Sequence, residues 1–340
     1  MDICAITCVK NEGPFLLEWL AYHHMIGVSH FLIYSNDCDD GTCEVLDAAA
    51  GSLPITHLPN PTKGQHYQMG ALKDARKQPC VGTADWVWIS DVDEFLCVHA
   101  GDGKISDLIQ ACGDPSAISV TFRYFANAGI DRFVDRPVIR QFMRCHAEDI
   151  CASDTAIEVK TLVQKNFPLH SFGAHRPFTR ADYLPHWTDG SGRPVPEAFV
   201  KTTNKRRIRR FPAAGTQSFA TLNHYALRSR DTYLVKRARG DVNRPNRAFD
   251  VDYWTDRNDS GSEDRRILTH MPALRRALHQ LKSIPEIGAA HKSAVAHHRA
   301  YANRLRKTRD GKALLAALDA APRLPRNEAQ LCEALKAMRL

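Results

Sequence analysis

Over the first 125 residues, short apolar runs alternate with stretches of helical periodicity. That pattern predicts a mostly parallel sheet covered by helices. Residues 3–9 form a first strand, and Pro14 then opens a helix at a position where its missing N–H costs nothing. Phe15, Leu16, Trp19, Leu20, His23 and Ile26 make that helix's apolar stripe, and Gly27 ends it. Residues 30–34 read as a second strand. A polar turn over 35–42 follows and feeds a helix through Leu46. Residues 54–58 make a third strand and residues 65–78 a helix. The run Trp86-Val87-Trp88-Ile89 is apolar on both faces, as in a strand buried on both sides. It delivers Asp91 and Asp93 to its carboxyl end, where open α/β sheets bind ligands.

Beyond Gly101 the periodicity loosens. Residues 117–122, 138–143 and 157–163 read as strands. Residues 164–222 are rich in Pro, Gly, His and Arg, the composition of a functional loop region or lid. From about residue 263 the chain turns helical, with helices expected over 285–307, 311–320 and 326–340. There is no internal repeat. A chain of 340 residues accommodates one large α/β domain with a helical appendage, or two domains.

Charge adds a polarity that the net value of +8 conceals. Residues 1–200 hold 16 Lys/Arg against 25 Asp/Glu, a net −9, while residues 201–340 hold 30 against 13, a net +17. An acidic half and a basic half suit a site that combines a cation with phosphates. The basic half also suits an anionic partner such as a membrane surface, or is simply a solvated helical surface. The ten cysteines form no C-x-x-C pair, so reduced, buried thiols are expected. No basic-then-apolar leader precedes the first strand, and no window approaches 18 uninterrupted apolar residues. The expectation is a cytoplasmic, bacterial-type protein, peripheral at most to the inner face of a membrane.

Asp91 and Asp93 offer hard oxygen ligands with no thiol beside them, which suits Mg²⁺ or Mn²⁺ carrying a phosphate. A solvated acidic turn capping a helix is the plainer alternative. Glu12 can meet the dipole of the helix opened by Pro14, and Asp40 can cap the helix that follows it. Lys73 and Arg76 share one helix face, and a solvated face is the preferred reading there.

Four ordered segments carry a family resemblance. They are Val9-Lys10-Asn11-Glu12 with Leu17-Glu18-Trp19-Leu20 and His23; Asn36 to Thr42 with its Asp-Gly-Thr ending; Asp91-Val92-Asp93-Glu94-Phe95; and Asn223-His224-Tyr225 followed by Ser229, Lys236, Arg239 and Gly240. Together they resemble the GT-A glycosyltransferases of the family 2 type, in a branch similar to family 92. The resemblance covers about residues 1–245, with a nucleotide-sugar half over 1–125 and an acceptor and metal-closing half over 126–245. Residues 246–340 remain as a basic helical extension. The resemblance implies an α/β fold of the GT-A, Rossmann-like kind, with a mostly parallel sheet flanked by helices.

It also implies roles. Asp93 would bind the metal, Asp91 the ribose or the metal's water shell, and His224 would be a later metal ligand. Lys10, Asn11 and Glu12 would meet the base and ribose, and Asp37, Asp39 or Asp40 the base edge, with Asn36 among the nucleotide-binding residues and Gly41 permitting the tight turn. Lys236 and Arg239 would face the diphosphate. An inverting transfer needs a carboxylate within reach of the acceptor hydroxyl. Family 2 enzymes often supply it from a Glu-Asp pair. Here that pair is Glu148-Asp149, although its flanks do not match the usual context. Asp149 is the expected base, with Asp154 and Glu158 as rivals. His175-Arg176-Pro177 resembles a family segment near the acceptor; it and His170 also read as loop histidines. The basic run over residues 201–210 is either a clamp for an anionic or lipid-linked acceptor or a solvated loop.

The resulting expectation is a Mn²⁺- or Mg²⁺-dependent, inverting transferase. It would move a sugar from a UDP-sugar to a glycan or lipid-linked acceptor, such as a bacterial surface polysaccharide or its precursor. A catalytically silent sugar-nucleotide or glycan binder is the alternative. A nucleotidyltransferase is disfavoured because the first loop holds one glycine, Gly13, where a phosphate cradle wants several. No nucleic-acid partner is expected, since no recognition module accompanies the basic half.

Overall fold

The computed structural model describes residues 1–63, 66–146, 158–201, 210, 215–240 and 249–321. The chain begins β1 (Ile3–Val9), α1 (Gly13–Met25), β2 (His30–Ser35), α2 (Thr42–Ala49), β3 (Ile55–Pro59), α3 (Tyr67–Ala75), α4 (Pro79–Thr83), β4 (Trp86–Ile89). It continues β5 (Glu94–Val98), α5 (Ile105–Ala111), β6 (Ala117–Tyr124), α6 (Val138–Gln141), β7 (Arg144–Cys145), β8 (Val159–Gln164), β9 (Leu169–Ser171), β10 (Phe178–Thr179) and β11 (Trp187–Asp189). It closes with α7 (Glu197–Val200), β12 (Ala220–His224), α8 (Arg230–Arg239), α9 (Val251–Thr255), β13 (Ser262–Glu263), α10 (Met271–Ser283), α11 (Pro285–Lys307) and α12 (Arg309–Asp319).

The main sheet runs β3-β2-β1-β4-β8-β6-β12-β5, with β11 paired to β6. Strands β3, β2, β1 and β4 are parallel neighbours. β8 is antiparallel to both β4 and β6, β12 is parallel to β6, and β5 is antiparallel to β12. The expected class therefore holds: α/β, mostly parallel, flanked by helices, with a helical C-terminal region. The order β3-β2-β1-β4 reverses direction between β1 and β4, which makes the crevice beyond their carboxyl ends the natural ligand site. Because β8 is the single antiparallel strand between β4 and β6, the carboxyl ends of β4, β6 and β12 also emerge on that edge. The start of β8 joins them.

α1 explains much of the first motif. Trp19 Nε1 donates to the Glu94 carbonyl at 3.0 Å and Tyr22 OH to the Leu96 carbonyl at 2.9 Å. His23 Nδ1 donates to the Trp19 carbonyl at 2.9 Å, leaving Nε2 to accept from Leu96 N at 3.4 Å. Three side chains of one helix thus hydrogen-bond the outer margin of β5, the strand that starts right after Asp93. Burial pushes the His23 imidazole down to about 3 despite the Trp19 carbonyl, so it is a neutral structural group.

Three expectations need correction. α1 is not buried along a stripe but all round over Gly13–His23. Its second face is covered by α10 and α11, which join the same core through Leu274, Leu278, Ile287 and Val295. Residues 138–143 are not a strand; Val138–Gln141 is a short helix following Pro137. The Glu18 carboxylate accepts from Val138 N at 2.7 Å and Ile139 N at 3.1 Å, fixing that turn from across the chain. The helix expected over 65–78 is shorter, Tyr67–Ala75, with Pro79 opening another. The helix expected over 326–340 lies outside the described residues. Among the described residues all eight cysteines are free thiols, and no helix is long and apolar enough to cross a membrane.

Candidate active site

The Asp91–Glu94 loop is a tight turn, closed by Glu94 N donating to the Asp91 carbonyl at 3.0 Å. It is also anchored to β12 through Tyr225 N and the Asp93 carbonyl at 2.8 Å. That bond brings His224 to Asp93: Nε2 lies 3.4 Å from Asp93 Oδ1. The His224 ring packs between Phe122 and Tyr124, at 4.9 and 5.1 Å between centroids, and its buried Nδ1 has no hydrogen-bond partner. Burial lowers the His224 pKa and the Asp93 charge only partly offsets it, so the ring is neutral at neutral pH. Asp93 Oδ2 accepts from Lys236 Nζ at 3.0 Å. Burial works to raise the Asp93 carboxyl, but Lys236, His224 and Arg228 outweigh it and hold it well below the usual range.

Asp91 faces the other way. Its Oδ2 pairs with Lys160 Nζ at 3.0 Å, a lysine only 1% exposed at the start of β8. Lys160 also lies 3.5 Å from Glu94 Oε2. The same Glu94 oxygen accepts from Asp91 N at 2.9 Å and Ser90 Oγ at 3.2 Å. Burial opposes the Lys160 charge, yet Asp91 and Glu94 keep it firmly protonated. Burial, with the neighbouring aspartates, pushes Glu94 up against the pull of Lys160.

Glu12 is clamped by two arginines. Arg228 Nη1 reaches Oε2 at 2.9 Å and Arg239 Nη1 reaches Oε1 at 2.6 Å. Arg239 also donates to the Lys10 carbonyl at 2.6 Å, and Arg228 to the Val92 carbonyl at 3.2 Å. Burial works against the Glu12 charge, but the two guanidiniums hold its carboxyl below the ordinary value. Glu12 occupies the N-cap position of α1 without making a side-chain capping bond.

Eight of the expected residues line one cleft: Lys10, Glu12, Asn36, Asp91, Asp93, His224, Lys236 and Arg239. Asn11, Asp37, Asp40 and Gly41 do not line it. Asn11 pairs with Asp39 through two hydrogen bonds, and Asp37 accepts from Tyr67 OH at 2.7 Å. Asp40 is buried and accepts from Gly13 N at 3.1 Å and Thr42 N at 3.0 Å, joining the starts of α1 and α2. Gly41, at φ 92, is the left-handed residue that the turn requires. Arg76 binds the His170 carbonyl at 2.7 Å, away from the cleft. Asp149, Asp154 and most of the basic run at 201–210 lie outside the described residues, whereas Glu158 and His175 line the cleft. Sequence reasoning missed Lys160 and Arg228. A lone lysine in the strand Val-Lys-Thr-Leu-Val-Gln was a signal for the first; nothing local marked the second.

The donor set fits a divalent ion. One ligand atom each from Asp93, Glu94 and His224 lie within 4.8 Å of one another. Two carboxylates and an imidazole are a donor set that could hold a divalent metal ion. Asp91, turned toward Lys160, is not in this trio.

The sequence profile of glycosyltransferase family 92 matches residues 3–182, more than half of the chain and all of the β1, α1 and Asp91–Glu94 motifs. The chain belongs to glycosyltransferase family 92. A family 92 protein of Oryza sativa subsp. japonica is 35% identical over 111 residues, which is 32% of this chain and 18% of that protein. One of Arabidopsis thaliana is 32% identical over 96 residues, 28% of this chain and 16% of the other. These matches thus span under a fifth of those relatives' length. Among solved structures, the chain is similar to Staphylococcus aureus TarS 1–349, at 10% identity and a TM-score of 0.35 over 90% of this chain and 92% of that one.

Proposed function

We propose that this family 92 member is a metal-dependent glycosyltransferase, moving a sugar from a nucleotide-sugar of the UDP class to a glycan or lipid-linked acceptor with inversion. The observation that carries it is the meeting of Asp93 and His224 at the reversal point of the sheet, beside Lys236, Arg228 and Arg239. Asp93 and His224, with Glu94, would hold Mn²⁺ or Mg²⁺, which supplies positive charge to the departing diphosphate. Arg239, held by Glu12 rather than by water, adds preorganised charge on the same side, and Lys236 stands beside it on Asp93. Lys10 and Asn36, beyond β1 and β2, flank the nucleotide. The cleft is also lined by Phe122, Tyr124, Phe249 and Tyr253, rings whose faces suit the C–H face of an acceptor sugar. Of the three carboxylates named for the base, Glu158 is the one that lines the cleft among the described residues. It is assigned to take the acceptor hydroxyl proton.

The test is a screen of nucleotide-sugars for Mn²⁺-dependent hydrolysis and transfer. Asp93→Ala is expected to remove at least about 100-fold of that activity while circular dichroism stays unchanged. Full activity in that variant would sink the assignment. Tight UDP binding without turnover of any donor would instead mark a silent sugar-nucleotide binder.

A further inference from the structure

Asp93, the carboxylate on which the donor site depends, already has a cation. Lys236 Nζ lies 3.0 Å from Asp93 Oδ2 and also donates to the Ala226 carbonyl at 2.9 Å. Its side chain is 12% exposed, and the ammonium lies 5.4 Å from the ring centroids of both Phe249 and Tyr253. Water therefore screens this pair weakly. A divalent ion arriving alone would meet a carboxylate whose field is cancelled, and an ammonium on the same carboxylate would repel it. A nucleoside diphosphate arriving alone would meet a lysine already committed to Asp93. When ion and diphosphate enter together, the metal can take Asp93 while the phosphate oxygens offer the ammonium a new anion.

Lys236 is suited to such an exchange where Arg239 is not. Its charge sits on a flexible stem with three rotatable donors, whereas a guanidinium is a rigid fork. Arg239 spends one nitrogen on both Glu12 and the Lys10 carbonyl. We propose that Lys236 is a resident counter-ion that holds Asp93 until metal and nucleotide enter together, then passes to the diphosphate, so that each ligand binds well only with the other. This rests on the reading of the cleft as a nucleotide-sugar site.

Calorimetry on the full chain tests it with Mn²⁺ alone, UDP alone, and Mn²⁺ at saturating UDP. The titrations are corrected for the Mn²⁺–UDP association measured without protein. In the wild type, UDP should tighten Mn²⁺ binding by about 10- to 100-fold. Lys236→Met keeps the stem and removes the charge. It should bind Mn²⁺ alone about tenfold more tightly than the wild type, bind UDP about tenfold more weakly, and lose most of the mutual enhancement. A variant whose Mn²⁺ affinity is unchanged or weaker, with its melting transition intact, overturns the exchange and leaves the donor-site reading standing. Should the variant fail to fold, the wild type decides alone: Mn²⁺ affinity indifferent to UDP overturns the proposal. A wild type that binds neither ligand in any combination overturns both readings.

Discussion

Arg228 ties the Asp91–Glu94 loop to Glu12. Its backbone is left-handed, at φ 53, its guanidinium lies 3.6 Å over the Phe15 ring, and its nitrogens hold Glu12 and the Val92 carbonyl. Arg228→Met would keep an apolar stem without the guanidinium that stacks on Phe15, and leave the buried Glu12 with Arg239 as its one charged partner among the described contacts. We expect a loss of about 3 kcal/mol in urea unfolding; a loss below about 0.5 kcal/mol would show the clamp to be dispensable. Glu18 gives a pH signature. Burial pushes its carboxyl up to about 7, against the two amides of α6 and the nearby Arg228. The folded state therefore holds the proton more tightly than the unfolded one. Its contribution is fully present below about pH 4.5 and disappears as pH rises through about 7, some 3 kcal/mol in all. The wild type minus Glu18→Gln should show that falling slope in chemical denaturation; parallel profiles would refute it. At this scale Asp91 and Asp93 were legible from the apolar strand that delivers them, and His224, Lys236 and Arg239 through the family resemblance alone; all five line one cleft. The sequence did not reveal which partner each would find, since the pairs join segments far apart in the chain.

The elements show the same division between local and distant causes. β1, β2 and β4 were legible because a doubly buried strand is a short apolar run. Residues 138–143 are apolar too, but the turn after Pro137 donates two backbone hydrogen bonds to the Glu18 carboxylate, and that distant acceptor favours a helical turn over a strand. The full burial of α1 was equally hidden, because the covering helices come from the far end of the chain. Their fit is close: a Cβ on Gly13 would stand 2.8 Å from the Ala294 Cβ of α11, and one on Gly41 3.2 Å. Ala294→Leu would push α11 off the starts of α1 and α2, destabilising the protein by about 2 kcal/mol. A melting temperature equal to the wild type's would show that this contact yields freely.

For the whole molecule, the pairing of β8 between β4 and β6 is what concentrates chemistry on one edge. The acidic half supplies Glu12, Asp91, Asp93 and Glu94, and the basic half closes over them with Arg228, Lys236 and Arg239. α10–α12 belong to this body through the core they share with α1. A chain ended after His270 would bare that face, with Leu274, Leu278 and Ile287 each removing about 2 kcal/mol of burial. It should sediment as aggregate; a monodisperse, cooperatively melting 1–270 would show that the sheet stands alone. The hydrogen bonds that Trp19, Tyr22 and His23 make along β5 also bear on assembly. One margin of the main sheet is sealed from within, which leaves β3 as the other end of its main path among the described residues. That edge is five residues long and ends on Pro59, which has no N–H to offer. At that end, strand-to-strand joining of copies meets a short run that lacks one donor.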